Sequence, residues 1–152
     1  MLHPAERKPA MPIPYLHFRG TCAQALAFYA ETFGSAAPQL MRYAEAPDTP
    51  YPHDPDRVIH GQVMLPDGML MASDFPPGMA GDPQQAVSLM LTAPDDATAR
   101  DWFAKLGDGG APILLYGPTF FSRGFGMVKD RFGTHWMISR APEDPLDPTA
   151  DA

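Results

Sequence analysis

The stretch PYLHFRGTCAQALAFYAETFG, residues 14–34, predicts a short strand that passes through a tight turn into an amphipathic helix. Thr21 is the predicted N-cap of that helix, and Gly34 is its predicted C-terminal stop. Apolar residues recur at helical spacing on one helix face, namely Leu26, Tyr29, Ala30 and Phe33. The chain therefore begins its folded part with a strand and a helix that must pack against each other.

The predicted strands and helices occur in the same order in both halves of the chain. Residues 37–43 predict a strand, and residues 57–74 predict a hairpin that turns at Pro66-Asp67-Gly68. The second half predicts strand, helix and three strands, at residues 85–93, 94–110, 112–121, 124–130 and 134–139. A βαβββ pattern used twice predicts an α+β fold, in which two modules form a curved mixed sheet around a cleft with the helices outside.

The domain organisation follows from composition. A length of 152 residues suits one folding unit with a sizeable core. The segments 1–10 and 141–152 are rich in Pro, Ala and charge without an apolar period, so we predict flexible tails there. The domain is predicted to span residues 11–140, with modules at about 11–76 and 84–140.

Composition excludes some partners. The formal net charge of −7 and the pI near 5.0 argue against nucleic acid, whose binders concentrate Lys and Arg on one face. No run approaches the roughly 20 apolar residues of a membrane helix, and the first residues lack the apolar core of a secretory signal. The single Cys22 agrees with a reducing compartment. We therefore expect a cytoplasmic protein without membrane or nucleic-acid partners.

The stretch DRFGTHWMIS, residues 130–139, predicts a turn and a strand with His135 and Met137 on one face. Strand alternation predicts an apolar cleft floor rich in Met and Phe, to which we assign Leu16, Phe18, Met64, Met71, Met137 and one or more of Phe120, Phe121 and Phe125. A largely apolar molecule would bind there.

The polar candidates for that cleft are His60 and Asp74, one from each strand of the first hairpin. Each also has an ordinary structural role: His60 as a buried or dimer-contact histidine, Asp74 as a cap of the following turn. His17 is expected on the opposite face of its strand from the cleft, and His135 is expected either at the cleft mouth or exposed.

Several segments together resemble the PhnB-like branch of the vicinal oxygen chelate superfamily, which includes glyoxalase I, extradiol dioxygenases and bleomycin-resistance proteins. They are PYLHFRGTCAQALAFYAETFG, MRY, HGQVMLPDGMLMASD, VSLML and RGFGMVKDRFGTHWMI. The resemblance covers residues 11 to 140 and implies the paired βαβββ fold and frequent dimers. Members of this branch have also been described as a 3-demethylubiquinone 3-methyltransferase, but no segment resembles the glycine-rich turn of a common methyl-donor site.

In metal-dependent relatives, the resemblance implies one divalent ion held by His or Glu on the first, fourth, fifth and eighth strands. The corresponding positions here are Pro14, a site within MLMAS next to Asp74, Val87 or Ser88, and Met137. Pro and Val offer no side-chain donor, and a Met thioether is a soft ligand for a hard divalent ion. We therefore predict no metal and no other cofactor.

Three functions remain open from the sequence. The first is a small-molecule binding protein or metal-independent enzyme that uses His60 and Asp74 as polar anchors. The second is a metal-dependent lyase or dioxygenase, and the third is a dimerisation or interaction module without pocket chemistry. The sequence does not decide whether any reaction is catalysed. A homodimer is expected because the sheets expose edges and apolar strands.

Overall fold

The computed structural model describes residues 10–46, 54–76, 78–79 and 81–142. The predicted tails, 1–10 and 141–152, therefore fall almost entirely outside the described residues. None of the helices in the described part is both long enough and apolar enough to cross a bilayer.

The first module contains four strands and one helix: β1 Tyr15–Phe18, α1 Cys22–Phe33, β2 Gln39–Arg42, β3 Val58–Leu65 and β4 Gly68–Asp74. Its sheet has the order β1-β4-β3-β2. Strand β1 runs parallel to β4, and the other neighbours are antiparallel. The first strand begins one residue after Pro14, because proline cannot supply the backbone N–H that a strand ladder needs.

The second module repeats this arrangement with β5 Ser88–Ala93, α2 Asp96–Gly107, β6 Ala111–Gly117, β7 Phe125–Lys129 and β8 His135–Arg140. Its sheet has the order β5-β8-β7-β6, again with the first and last strands parallel. The predicted α+β class with two βαβββ modules is thus confirmed.

The predicted extension of the β6 strand to Phe121 is wrong. The strand ends at Gly117, immediately before Pro118. The chain then turns, and the backbone N–H of Thr119 donates to the carbonyl of Ser122 at 2.7 Å. Phe120 lies in this turn with 89% of its surface exposed.

Each sheet packs one face against the helices in a continuous apolar core, and we call the opposite face the inner face. Along β1, Leu16 and Phe18 point to the helices, whereas Tyr15 and His17 lie on the inner face. The prediction had the reverse alternation. Leu16 and Phe18 are purely apolar and pack against the apolar face of α1. Tyr15 and His17 carry polar atoms and remain on the side that solvent reaches.

The start of α1 is capped by a residue from the far end of the module. The predicted N-cap Thr21 makes no side-chain capping bond. Instead, Asp74 Oδ1 accepts hydrogen bonds from the N–H groups of Gly20 at 2.8 Å and Cys22 at 3.0 Å, and Oδ2 accepts from Val58 N–H at 2.9 Å. Burial, reinforced by the charge of Asp74, raises the pKa of Cys22 to about 12, so its thiol stays protonated in the core.

A second buried carboxylate joins the modules. Asp130 Oδ2 accepts from the Tyr29 hydroxyl of α1 at 2.6 Å and from Trp136 Nε1 of β8 at 2.9 Å. Its Oδ1 accepts from the N–H groups of Phe132 at 2.8 Å and Thr134 at 3.1 Å. Burial and the Asp130 charge raise the pKa of Tyr29 well above its ordinary value, so the hydroxyl keeps its proton for this bond.

Candidate functional site

The candidate site lies between the two sheets. Strand β1 is the outer strand of the first sheet, and β5 is the outer strand of the second. Among the described residues no backbone hydrogen bond joins these two strands. The gap contains a cavity of about 520 Å³, which we call the first cavity. This volume falls in the range of small-molecule sites.

The first cavity takes its walls from β1, from the segment between the modules, from β5 and from the start of β8. Its lining residues are Tyr15, Leu16, His17, Phe75, Gly81, Asp82, Gln84, Gln85, Val87, Leu89, Thr134 and His135. Both modules therefore contribute to one site, which combines aromatic and aliphatic surface with polar side chains.

A row of four rings forms the wall on the β1 side. The Tyr15 hydroxyl lies 3.0 Å from His60 Nδ1, and the Tyr15 and His17 ring centroids are 5.1 Å apart. The His17 ring stacks on Phe75, with centroids 5.2 Å apart and an interplanar angle of 20°. Since each ring contacts the next, Tyr15 and His17 have fixed orientations in the wall.

His135 stands on the opposite side of the first cavity, at the start of β8 and opposite Ser88 of β5. Its Nδ1 atom is buried and has no hydrogen-bond partner among the described residues. Buried polar atoms in folded proteins are nearly always paired, because an unpaired one costs about 1–3 kcal/mol. A hydrogen-bonding group of a ligand in the cavity would remove this cost.

The turn before β8 places His135. Asp130 and Thr134 close this turn through a backbone hydrogen bond of 2.9 Å, and the Gly133 N–H donates to the Asp130 carbonyl at 3.1 Å. Because the Asp130 side chain also binds the Thr134 N–H, the turn is tied to α1 through the buried carboxylate. The position of His135 therefore depends on the contact between modules.

The two predicted polar anchors occupy different environments. His60 lies on the inner face of β3 and reaches the first cavity through its bond to Tyr15. Asp74 is only 3% exposed, and its carboxylate is engaged by three backbone N–H groups. Asp74 does not line the first cavity. The sequence offered Asp74 as a cap of the turn that follows it, but the structure places its carboxylate at the start of α1 and of β3 instead.

The predicted apolar ligand-binding residues are dispersed. Leu16 lines the first cavity from the helix side, and Phe18 is buried in the core. Met64, Met71 and Met137 lie on the inner face, outside the walls of the first cavity. Phe125 is buried beside Phe121, with ring centroids 5.1 Å apart, and Phe120 is in the exposed turn.

Sequence reasoning missed Tyr15 and His17 as wall residues. The available signal was the contrast in polarity along the strand, because Leu16 and Phe18 are the more suitable pair to cover a helix. His135 had been considered for the cleft mouth, and the structure places it in the wall.

The positions implied as metal ligands do not fit a hard divalent ion. Pro14 precedes β1 and Val87 precedes β5, while Ser88 and Met137 lie on the second sheet. Within the described ranges, no group of three or more His, Cys, Asp or Glu side chains could hold a metal ion. We derive no chemical step through a metal.

The protein has two βαβββ modules, and its first cavity lies between the first strands of the two modules. This arrangement defines the glyoxalase/bleomycin-resistance fold, which solved proteins of that class share. Within this class, the chain belongs to the PhnB-like family described as 3-demethylubiquinone-9 3-methyltransferase, whose model matches residues 10–139. The resemblance inferred from the sequence is confirmed.

Relatives extend along nearly the whole chain. It is 31% identical over 147 residues to Protein YjdN of Escherichia coli (strain K12), covering 89% of this chain and 99% of that protein. It is 30% identical to protein PA1353 from Pseudomonas aeruginosa, with a TM-score of 0.79 and coverage of 87% and 98%. The PhnB protein of Bacillus cereus is 26% identical, with a TM-score of 0.73 and coverage of 87% and 100%.

Proposed function

We propose that this protein binds a small, largely apolar organic molecule in the first cavity without a metal ion. The observation that carries the proposal is a cavity of small-molecule size lined from both modules by aromatic and polar side chains, among them His135, whose buried Nδ1 has no partner among the described residues. A ligand that hydrogen-bonds to this atom would make a contact that the free protein lacks. His17, Gln84 and Gln85 offer further polar contacts around the same volume.

The ring row suits an aromatic or otherwise flat ligand. His17 and Tyr15 present fixed ring faces and edges, and aromatic contacts of this kind add about 0.5–1.5 kcal/mol to the effect of buried area. His60 acts on the ligand indirectly, because its contact with Tyr15 sets the orientation of that ring.

Binding is favoured over methyl transfer as the function. The segments that connect β1 to α1 and β5 to α2 are Arg19–Thr21 and Pro94–Asp95. Neither has the repeated glycines with which the common methyl-donor and dinucleotide folds bring a backbone against their ligand. The positions implied as metal ligands carry poor donors for a hard divalent ion. A metal-dependent lyase or dioxygenase is therefore the weaker alternative.

The site predicts a specific mutational result. His135→Ala should weaken binding of an aromatic or hydrophobic metabolite by about 1–3 kcal/mol, because it removes the unpaired partner that the ligand satisfies. Hits are first identified by thermal shift, since a ligand that binds only the folded state raises the melting temperature, and their affinities are then measured by calorimetry.

The matched control is Gln62→Ala, a change at a half-buried residue of the inner face whose side chain contacts Gln39 rather than the cavity. It should leave affinity unchanged. Elemental analysis of the same samples should find no stoichiometric Zn, Ni, Mn or Fe. Equal affinities for the parent and His135→Ala, or a metal present at one ion per chain and required for binding, would contradict the proposal.

We also propose that the protein is a homodimer in which a second copy covers the inner face. That face presents apolar side chains more than one third exposed, namely Tyr15, Met41, Met64 and Met90. Exposed apolar side chains concentrated on one face of a sheet are typical of an interaction surface. The PhnB-like family membership supports the same arrangement, because the resemblance implies frequent dimers.

A charge on this face should separate the subunits. Met64 is 56% exposed and lines neither the first cavity nor the core, so Met64→Lys should leave the fold intact and convert the dimer to a monomer at micromolar concentration. Light scattering coupled to size-exclusion chromatography measures the mass. Met79→Lys, at a methionine 47% exposed in the segment between the sheets, is the control and should remain a dimer. A monomeric parent protein would contradict the prediction.

A further inference from the structure

A second cavity of about 410 Å³ lies in the same gap between β1 and β5, and the proposed function does not use it. Its walls include the residues that precede β1, the beginning of β4, the middle of β5 and Trp136 of β8. Its apolar and aromatic lining includes Ile13, Met69, Leu70, Met90, Leu91 and Trp136.

The second cavity continues the first. On the β1 side, Met11–Pro14 line the second cavity and Tyr15–His17 line the first. On the β5 side, Leu89 belongs to both walls. The seven residues from Met11 to His17 span at most about 20 Å, so the two cavities together form a groove no longer than that along the sheet edges.

The two ends of this groove differ in the side chains that line them. The first cavity is lined by polar side chains that include His17, Gln84 and His135. The described lining of the second is apolar or aromatic apart from Asp67 and Ser88. Asp67 is already engaged, because its Oδ2 accepts a hydrogen bond of 3.3 Å from the Thr92 N–H.

From this juxtaposition we propose that the ligand is amphipathic, with a flat, hydrogen-bonding head group in the first cavity and an unbranched apolar chain in the second. This inference rests on the proposed function, because it places the head group at His135. Flexible thioethers such as Met69 and Met90 adapt to an apolar chain, and the Trp136 indole lies against it. The head group is not an anion, since the Asp82 carboxylate lines the first cavity and would repel a negative charge.

The probe is a series of 4-alkylphenols from methyl to octyl, measured by calorimetry on the full-length protein. The phenol supplies a flat head with a hydroxyl group, and the chain length varies alone. We expect affinity to rise about two- to fourfold for each added methylene, the usual effect of burying that group, until the second cavity is filled. His135→Ala should weaken every member of the series by a similar factor.

A substitution in the second cavity that leaves the first cavity unchanged tests where the alkyl chain of the ligand binds. Ile13 lines the second cavity, is 49% exposed and lies outside the strands, so Ile13→Asp should fold normally and abolish the gain with chain length. Ile113→Asp is the matched control, at an exposed isoleucine of β6 that lines neither cavity, and should behave as the parent.

Fluorescence quenching gives an independent test of where the alkyl chain of the ligand binds. In a Trp102→Phe background, a 4-alkylphenol with a terminal bromine should quench the fluorescence of Trp136, which lines the second cavity. If short phenols bind at His135 but affinity does not rise with length, the inference is overturned and the proposed function stands. If no phenol binds, the inference is also overturned, and the metabolite screen decides the proposed function separately.

Discussion

Replacing Asp130 by alanine is expected to lower the free energy of unfolding by about 3–5 kcal/mol, because four donors, three of them buried, lose this acceptor at once. These donors are the Tyr29 hydroxyl, Trp136 Nε1 and the N–H groups of Phe132 and Thr134. Two of them come from the turn that places His135, and one comes from α1 of the other module. Loss of the carboxylate therefore weakens the contact between modules and the candidate site together.

Urea or guanidinium denaturation, followed by fluorescence and circular dichroism, measures this effect. Tyr29→Phe provides a graded comparison, since it removes one of the donors to Asp130 and also the hydroxyl that pairs with Thr134 Oγ1 at 2.9 Å, and should cost about 1–2 kcal/mol. Asp108→Ala is the surface control: its side chain is 81% exposed and, among the described residues, forms an ion pair with Arg131 alone, so its effect should stay within about 0.5 kcal/mol. An Asp130→Ala variant as stable as Asp108→Ala would refute the assigned role.

The second large effect is expected from Asp74→Ala, at about 3 kcal/mol of lost stability. The carboxylate satisfies the N–H groups of Gly20 and Cys22 at the start of α1 and that of Val58 at the start of β3. The Cys22 and Val58 N–H groups are buried and have no water as a ready substitute, whereas Gly20 is exposed and can donate to water instead. This result differs from the one expected of a ligand anchor, the other role considered for Asp74, whose removal would weaken binding and leave the fold intact.

The comparison within the same chain is Asp95→Ala. Asp95 caps α2 by accepting a hydrogen bond from the Thr98 N–H at 2.7 Å, and it is exposed to solvent. Loss of an exposed N-cap typically costs about 1 kcal/mol, so Asp74→Ala should be clearly the more destabilising of the two. Equal losses in denaturation experiments would show that Asp74 acts only as an ordinary helix cap.

Much of the candidate site could not be predicted because it depends on contacts between distant segments. Periodicity identified the strand of residues 15–18, but both of its faces carry large side chains, and alternation alone does not say which face meets the helix. In the structure, the face of β1 that carries Leu16 and Phe18 meets the helix, because these side chains pack with the apolar face of α1. Likewise, His135 was recognised as a polar residue near a strand start, whereas the absence of a partner for its Nδ1 among the described residues is visible only in three dimensions.

The sequence by itself determined the order of helices and strands, the repeated βαβββ pattern and the family, because these follow from local periodicity, turn chemistry and motif. It also determined that the positions corresponding to metal ligands carry poor donors. Only the tertiary structure decided that Asp74 and Asp130 are internal hydrogen-bond acceptors and that Tyr15, His17 and His135 surround one cavity. The physical reason is that a carboxylate or imidazole has the same local sequence signal whether it faces a ligand or a buried N–H, and its partner is chosen by segments far away in the chain.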